Sequence, residues 1–430
     1  MRWLREFMSL PIYLRWMLAV DLVCNFGNGL VWPIELLFAT HSLGASMSQA
    51  TLTVTVSSIG SLISHPAIGW LSDKRSSWLA MHLGLVFAIL GPVLFAVSLT
   101  FPMALLAAFV SGLGMGTTTA WTSILTQIST SEQKNIVYGI NQAEMNLGVG
   151  LGAAVGGIVA ASRSDFLFRL SFAARGAGFV FVSIALILIE RHFALRALTR
   201  RLSVQAREVQ VTAPSSSNES GEHSTLNNPR SALVAMALLT TATLFMNIFG
   251  YSQFDSGVVT TLISNDRIPR WSLSLIDVVN TFAVVVLNVI LLPRLKNGRH
   301  MVMLRTVPIC WAAAWFLIDL GLTCNSSLAA LTVASIGITV FGFGEVMLGI
   351  SQPVVAARLA GPRFSGRMFG LLNMAQSLGY VLGPMFAAWV LTAPRPIPLL
   401  TLSAIALLLT SLPWLFAIRL PRQARVQQKV

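Results

Sequence analysis

The sequence predicts an all-α polytopic membrane protein with twelve transmembrane helices in two pseudo-symmetric halves of six. Three observations support this fold class: the composition, twelve long apolar stretches, and a glycine pattern that occurs once in each half. Of the 430 residues, 55% are hydrophobic and only 10% are charged, whereas soluble domains carry about 25% charged residues. The net charge of +13 comes from basic residues scattered between apolar stretches. This distribution argues against nucleic-acid binding and fits the positive-inside rule of membrane proteins.

Apolar stretches of about 20 residues are long enough to span a bilayer as helices. An even number of them places both termini on the same side of the membrane. The predicted spans are residues 16–40, 51–71, 78–98, 102–126, 136–160, 169–189, 231–254, 272–292, 302–322, 327–352, 367–391 and 397–418.

The distribution of lysine and arginine predicts which side is cytoplasmic. With a cytoplasmic N-terminus, 23 of the 29 basic residues lie in cytoplasmic loops or helix ends. This excess predicts that both termini are cytoplasmic, in an inner or plasma membrane. We expect Arg175, near the outer end of the sixth span, to snorkel towards the interface. The six basic residues at or near outer ends are Arg163, Arg169, Arg175, Arg267, Arg270 and Arg395.

The longest loop divides the chain into an N-terminal half (1–190), a cytoplasmic linker (191–230) and a C-terminal half (231–430). The linker begins with several arginines, which predict a basic helix on the membrane surface. Its later part, rich in serine, predicts a flexible connection.

A glycine pattern relates the two halves. Parallel halves of six spans around a central cavity are a transporter arrangement. Tyr138-Gly139, Leu147-Gly148 and Gly152 recur as Phe369-Gly370, Leu378-Gly379 and Gly383, at a constant offset of 231 residues (369 − 138).

A polar stripe runs along the first predicted span. Asp21, Asn25, Asn28, Trp32 and Glu35 follow one another at steps of 4, 3, 4 and 3 residues, which keeps them on one face of an α-helix. Ionisable groups inside a membrane are costly, and they face a water-filled cavity or a partner. The stripe therefore predicts a membrane helix with one wet side.

The interior of the bundle is predicted to be net acidic, which attracts cations and protons and repels anions. Asp21, Glu345 and Glu144 are the proton-coupling candidates, because a desolvated carboxyl group can take up and release a proton. The alternative for each acid is a purely structural pairing, or for Asp21 only a hydrogen bond with Asn25. The acids away from span ends are Asp21, Glu144, Asp277 and Glu345, with Glu35 nearer the outer rim and Arg175 as the one comparably deep base.

Polar and aromatic side chains on three spans are candidate substrate contacts. Carboxamides both donate and accept hydrogen bonds, and an indole ring offers a face to a cation. An interfacial anchor is the alternative for Trp32, and polar contacts between helices are the alternative for the seventh and eleventh spans. The candidates are Asn25, Asn28, Trp32 and Glu35 on the first span, Asn247 and Tyr251 on the seventh, and Asn373 and Gln376 on the eleventh.

The turn after the second span carries Gly69, Leu71, Asp73, Lys74 and Arg75. This spacing resembles the first cytoplasmic motif of the major facilitator superfamily, although serines replace its later glycine and basic positions. The span count, the linker and the half-to-half repeat resemble the same family over nearly the whole chain. The resemblance implies that Asp73 holds the two halves together, and the partners we expect are the start of the eleventh span, Arg363 and Arg367. The alternative is a solvated Asp73 beside residues that only anchor the topology.

The fifth span resembles the antiporter motif of that family. It carries Gly148, Gly152, Gly156 and Gly157, with Ala153 where the family has a proline. The eleventh span keeps the proline as Gly383-Pro384 but lacks the last glycines. The resemblance implies export, and simple packing of small residues is the alternative.

The chain departs from proton-coupled drug exporters of the family in the fourth span. Those exporters carry an arginine four residues before a glycine, whereas this chain has Ala108 before Gly112. Any coupling to protons therefore needs another group.

The predicted function is proton-coupled export of a small amphipathic or cationic compound by alternating access. Nutrient uptake, facilitated transport and a non-transporting sensor on the same fold are the alternatives. The predicted partners are a small-molecule substrate, protons or sodium, and the lipid bilayer, and a monomer is expected. Neither an enzyme nor a cofactor is predicted, because we find no phosphate-binding loop and no catalytic triad. Cys24, Cys310 and Cys324 stand in apolar surroundings that predict neither disulfides nor a metal site.

Overall fold

The N-terminal half forms eight helices in the computed structural model, which describes residues 2–199, 229–263, 272–295, 299–392 and 398–418. The helix α2 continues into a π-helical turn, Phe38–Ser42. The helices are α1 (Arg2–Ser9), α2 (Ile12–Leu37), α3 (Met47–Lys74), α4 (Ser77–Val97), α5 (Phe101–Gly114), α6 (Gly116–Ile128), α7 (Ser131–Ser162) and α8 (Asp165–His192).

The C-terminal half has a similar arrangement with differences in its first and fourth spans, the fourth being continuous there. Two π-helical turns, Asn247–Tyr251 and Phe254–Val258, interrupt its first span. The helices are α9 (Pro229–Met246), α10 (Val259–Ile263), α11 (Ser272–Leu295), α12 (His300–Leu322), α13 (Ser327–Gly361), α14 (Phe364–Leu391) and α15 (Leu399–Ala417). The joint between α13 and α14 is at Gly361, whose φ of 61° is a left-handed conformation that glycine adopts without strain.

Each of the twelve predicted spans is helical over most of its described residues, and ten are long and apolar enough by themselves to cross a membrane. The other two are α3, which is rich in serine and threonine, and α11, whose apolar part is Val278–Leu291. Both helices pack against several others, with α3 against α5, α6 and α14 and α11 against α7 and the helix α13–α14. This packing explains how α3 keeps polar residues within the bundle.

The beginning of the linker is attached to the N-terminal half. Residues 195–199 are helical, and Leu195 is fully buried. Glu190 at the end of α8 is buried and accepts hydrogen bonds from His82 of α4 and from Arg196. The rest of the predicted linker, residues 200–228, lies outside the described residues, and the exact boundaries of the halves stay a prediction. We call the end of the bundle where α8 ends and α9 begins the linker end, and the opposite end the distal end.

Close contact between α2 and α7 depends on glycine. A Cβ atom on Gly152 would lie 2.1 Å from the backbone oxygen of Phe26, and one on Gly156 would lie 2.3 Å from that of Leu30. Gly157 has no such neighbour within 4 Å. Only residues without a side chain permit this approach.

The equivalent helices of the second half make the same kind of contact. A Cβ atom on Gly379 of α14 would lie 2.4 Å from Cβ of Asn247, and one on Gly383 would lie 2.1 Å from Oγ of Ser252. Pro384, next to Gly383, is exposed. The glycine repeat of the sequence therefore marks one packing contact used twice.

Replacing Gly152 by alanine should destabilise the protein, whereas replacing Gly157 should not. The new methyl group at position 152 overlaps the backbone of α2, and overpacking of this kind costs about 1–3 kcal/mol. At position 157 the space is free, and alanine is a better helix former than glycine by up to about 1 kcal/mol. Thermal unfolding in detergent, followed by tryptophan fluorescence, should show a lower midpoint for Gly152→Ala only. Equal midpoints would mean that α2 and α7 are not in close contact.

Candidate functional site

The polar stripe of α2 faces away from the apolar surface of that helix. The exposed apolar residues Ile12, Trp16, Phe26 and Leu37 lie on one side, and the stripe lies on the opposite side by helical periodicity. Asp21, Asn25, Asn28 and Glu35 are partly buried there. Trp32 on the same stripe is 62% exposed and remains open to either of its two predicted roles.

Two carboxyl groups meet between α2 and α7. The Nδ2 atom of Asn25 donates to Oδ2 of Asp21 at 3.2 Å and to its backbone oxygen at 3.1 Å. The carboxyl group of Glu144 lies beside both residues and interacts with them, although neither of its oxygens makes a hydrogen bond of good geometry. Gly148, one turn after Glu144, lets α7 approach Asn25. We call Asp21 and Glu144 the carboxyl pair.

The carboxyl pair has a simple electrostatic consequence. Two negative charges at close range in an apolar environment repel each other strongly, and neighbouring carboxyl groups respond by holding one proton between them. Asn25 stabilises the charged member of the pair by its N–H group. The arrangement is able to bind and release a proton.

Arg175 is buried, which differs from the prediction made from the sequence. Its side chain was expected to snorkel to the interface, but it is only 9% exposed. It crosses α2 at Gly27, 3.3 Å from the position of a Cβ there, and its Nη2 donates to Oδ1 of Asn28 at 2.9 Å. It also attracts the carboxylate of Glu35, which interacts with Thr53. The glycine at position 27 was the signal for this crossing.

A second buried acid lies in the C-terminal half. Glu345 of α13 is 2% exposed. It accepts a hydrogen bond of 2.5 Å from the hydroxyl of Tyr251 and one of 3.3 Å from Nδ2 of Asn280. Tyr251 belongs to the first π-helical turn, so the interruption of the seventh span positions its hydroxyl. Asn280 was not identified from the sequence.

Other predicted substrate contacts have different surroundings. Asn247 is buried, donates to the backbone oxygen of Thr243 in its own helix at 2.8 Å, and packs against Gly379. This placement fits the helix-contact alternative. Gln376 interacts with Tyr380 on the same helix. The side chains of Asp277 and Arg363 lie outside what the structure describes.

Asp73 connects the two halves at the linker end. Its carboxylate accepts hydrogen bonds from the backbone N–H groups of Gly366 at 2.7 Å and Arg367 at 2.9 Å, at the start of α14. The guanidinium of Arg367 lies 3.8 Å from the same carboxylate. Gly69 is the point of closest approach, because its Cβ would lie 2.4 Å from the backbone oxygen of Gly366. The carboxylate thus caps a helix N-terminus across the boundary between the halves.

The two basic residues after Asp73 make fewer contacts than Asp73 in this structure. The Nζ atom of Lys74 lies 4.5 Å from the centroid of the Trp70 ring, and Arg75 ends α3. Neither contact reaches the other half.

A second junction between the halves was not predicted. Thr119 of α6 makes a hydrogen bond of 3.0 Å with Nδ1 of His65 and accepts one of 2.9 Å from Nδ2 of Asn373 on α14. The hydroxyls of Ser123 and Ser365 are 3.5 Å apart across the same boundary. Asn373, predicted as a substrate contact, therefore joins the halves in this structure.

Contacts nearer the middle of the bundle complete the boundary. Gly349 of α13 lies against Gln142, and Gly150 lies against Thr281 of α11. All contacts between the halves named here lie between the linker end and about the middle of the helices. The structure is closed at the linker end.

This arrangement, two helical halves with polar groups between them, is the architecture of a secondary transporter. Residues 17–384 match the Major Facilitator Superfamily. The match covers most of the chain, and the protein belongs to this family of transporters.

Two curated relatives and one solved structure illustrate the similarity. The Quinolone resistance protein NorA of Staphylococcus aureus is 30% identical over 145 residues, which are 33% of this chain and 37% of NorA. The match thus spans little more than a third of that relative. The Uncharacterized MFS-type transporter YttB of Bacillus subtilis is 23% identical over 394 residues, 90% of each chain. The proton:xylose symporter XylE superposes with a TM-score of 0.72 at 12% identity, over 95% of this chain and 96% of XylE, which shows the shared fold.

Weakening either junction should open the linker end. Cysteines at positions 123 and 365 should form a disulfide on mild oxidation, because the two hydroxyls they replace nearly touch. Adding Asp73→Asn or Thr119→Val should lower the fraction that cross-links in a fixed time. Hydrogen bonds to a charged group contribute about 1.5–3 kcal/mol and neutral ones about 1 kcal/mol, so Asp73→Asn should have the larger effect.

The matched control is Thr122→Val, because the hydroxyl of Thr122 bonds only within its own helix, to the backbone oxygen of Thr118 at 2.9 Å. The background chain should carry alanine in place of Cys24, Cys310 and Cys324. Cross-linking that is equally slow in all three variants, or unchanged in all of them, would contradict the assigned contacts.

Proposed function

We propose that this transporter exports a small amphipathic or cationic compound in exchange for protons, and that the carboxyl pair carries the proton. The observation that carries the proposal is the position of Asp21 and Glu144, side by side between α2 and α7, with Asn25 as their hydrogen-bonding neighbour. A pair of acids without a neighbouring base holds a proton that a cation can displace. Glu345 is the second candidate in the other half.

The interior charge supports a cationic substrate. The acids of the described interior include Asp21, Glu35, Glu144 and Glu345, and Arg175 is occupied by Asn28 and Glu35. A cavity with a surplus of acid attracts cations and repels anions. Protons are the proposed coupling ion, and sodium is the alternative.

The direction of transport rests on two supports. The glycines of α7 resemble the antiporter motif, and the relative NorA is described as a quinolone resistance protein. The excess of lysine and arginine in the loops and helix ends at the linker end leads us to place that end in the cytoplasm. In this orientation the contacts of Asp73 and Thr119 close the cytoplasmic side, and rocking of the halves would open it.

Adding a lipophilic cation to purified protein in weakly buffered detergent solution should release about one proton per bound cation, the number that a carboxyl pair shares. Ethidium and dansylcadaverine are suitable probes, and a pH-sensitive dye reports the release. Asp21→Asn and Glu144→Gln should abolish it, because neither single acid has a neighbouring carboxylate with which to share the proton.

The matched control is Asp165→Asn, which removes an exposed acid paired with Arg169 at the distal end and should leave proton release unchanged. Folded protein that releases no proton with any cation would sink the exchange mechanism. In inside-out vesicles acidified within, export predicts accumulation of the probe. Transport that survives Asp21→Asn would favour uptake or facilitated transport, and absence of any flux would favour a sensor.

A further inference from the structure

The surroundings of Glu345 lack a compensating positive charge. Its two hydrogen-bond donors, Tyr251 and Asn280, are neutral groups. In the described part of the chain no lysine or arginine forms an ion pair with it. A carboxylate that is 2% exposed and stabilised only by neutral donors is costly to keep. A cation from outside the protein would reduce this cost.

Glu345 lies near residues of α13 that contact the other half. Gly349, one turn further along α13, lies against Gln142 of α7. Thr281, the residue after Asn280, lies against Gly150 of α7. Glu345 and Asn280 are therefore close, along their own helices, to residues that contact the other half.

Aromatic rings cluster around Tyr251, the residue whose hydroxyl bonds this carboxylate. The ring of Tyr251 stands nearly perpendicular to those of Trp311, Phe341 and Tyr380, with centroids 5.5, 5.8 and 6.2 Å away. Trp311 and Phe341 are fully buried and form the back of the cluster, whereas Tyr251 and Tyr380 are partly exposed. Ring faces attract cations, and flat rings pack well against the aromatic part of a ligand.

One hydrogen-bond acceptor of this cluster is unused. The Oδ1 atom of Asn280 is buried and has no hydrogen-bond partner among the described residues. It lies 3.3 Å from the position of a Cβ on Gly342, so the absent side chain leaves room beside it. A carboxylate and a free amide oxygen both accept hydrogen bonds, so a ligand that binds them needs an N–H donor.

We propose that Glu345, Asn280, Tyr251 and Tyr380 form a subsite for the protonated amine of an aromatic substrate. The ammonium group takes the place of the Tyr251 hydroxyl on Glu345 and donates a second hydrogen bond to Oδ1 of Asn280, while the rings contact the apolar part. The subsite rests on the proposed function and names its substrate class: amines with at least one N–H on the charged nitrogen. A quaternary ammonium ion keeps only the attraction of the rings and the charge.

The test compares two probes that differ only at the charged nitrogen. Dansylcadaverine carries a primary ammonium, and its N,N,N-trimethyl analogue carries no N–H. Fluorescence anisotropy with the purified full chain should show about tenfold tighter binding of the ammonium probe, the scale of a hydrogen bond to a charged group. Glu345→Gln should weaken the ammonium probe by about tenfold or more and the trimethyl probe by less than about threefold. Tyr251→Phe keeps the ring and removes the competing hydroxyl, and should bind the ammonium probe more tightly.

The matched control is Tyr138→Phe, which removes a buried phenol bonded to Thr126 in the other half and should leave both affinities unchanged. Equal affinity of the two probes for the wild-type protein, equal loss of both in Glu345→Gln, or weaker binding in Tyr251→Phe would overturn the subsite. Proton release together with equal binding of the probes would leave exchange standing without the subsite. Selective binding without proton release would leave the subsite standing without exchange.

Discussion

A carboxyl group inside a membrane protein must be protonated, paired or hydrogen-bonded, because an isolated charge in an apolar medium is too costly to keep. The helices of this transporter satisfy that constraint in three different ways. Asp21 and Glu144 lie beside each other, Glu35 shares the charge of Arg175, and Glu345 is held by a phenol and an amide. Among the described residues, only the pairing of Glu35 with Arg175 contains a base. The other two contain no base in the part of the chain that the structure describes, and Glu345 is close along its helix to a residue that contacts the other half.

Close packing through glycine makes these arrangements possible. Gly148 and Gly152 let α7 approach α2 until Glu144 reaches Asp21, and Gly27 lets Arg175 cross the same helix. The second half repeats the contact with Gly379 and Gly383, but there the partner span is interrupted by π-helical turns. Such turns rotate the following side chains relative to a regular helix and are frequent at functional sites. The two halves therefore share one packing scheme and carry different chemistry.

Helical periodicity was enough to predict the stripe of α2, and the resemblance to a family motif was enough to predict that Asp73 lies against the start of the eleventh span. Periodicity was not enough where the outcome depends on which helix lies next to which. Asn373 was a candidate substrate contact, with a contact between helices as the alternative, and periodicity could not show that its carboxamide bonds Thr119 of the other half. Arg175 was assigned to the interface, yet it is buried against α2. A lone side chain in a span gives no sign of its neighbour, whereas a glycine such as Gly27 marks the face that a neighbour can approach.

The linker end is closed by backbone packing of Gly69 against Gly366 and by a small set of polar contacts. Asp73 contributes two hydrogen bonds to backbone N–H groups, and Thr119 contributes one to Asn373. Contacts of this kind contribute about 1–3 kcal/mol each, so a bound ligand can compensate for the loss of such hydrogen bonds. A ligand shifts such an equilibrium only if it binds one state more tightly. In the proposed exchange the acids next to the boundary supply that difference, because a carboxylate near the junction is neutralised by a proton or by an amine but not by both at once. Competition for the same negative charge would then link the two fluxes without direct contact between proton and substrate.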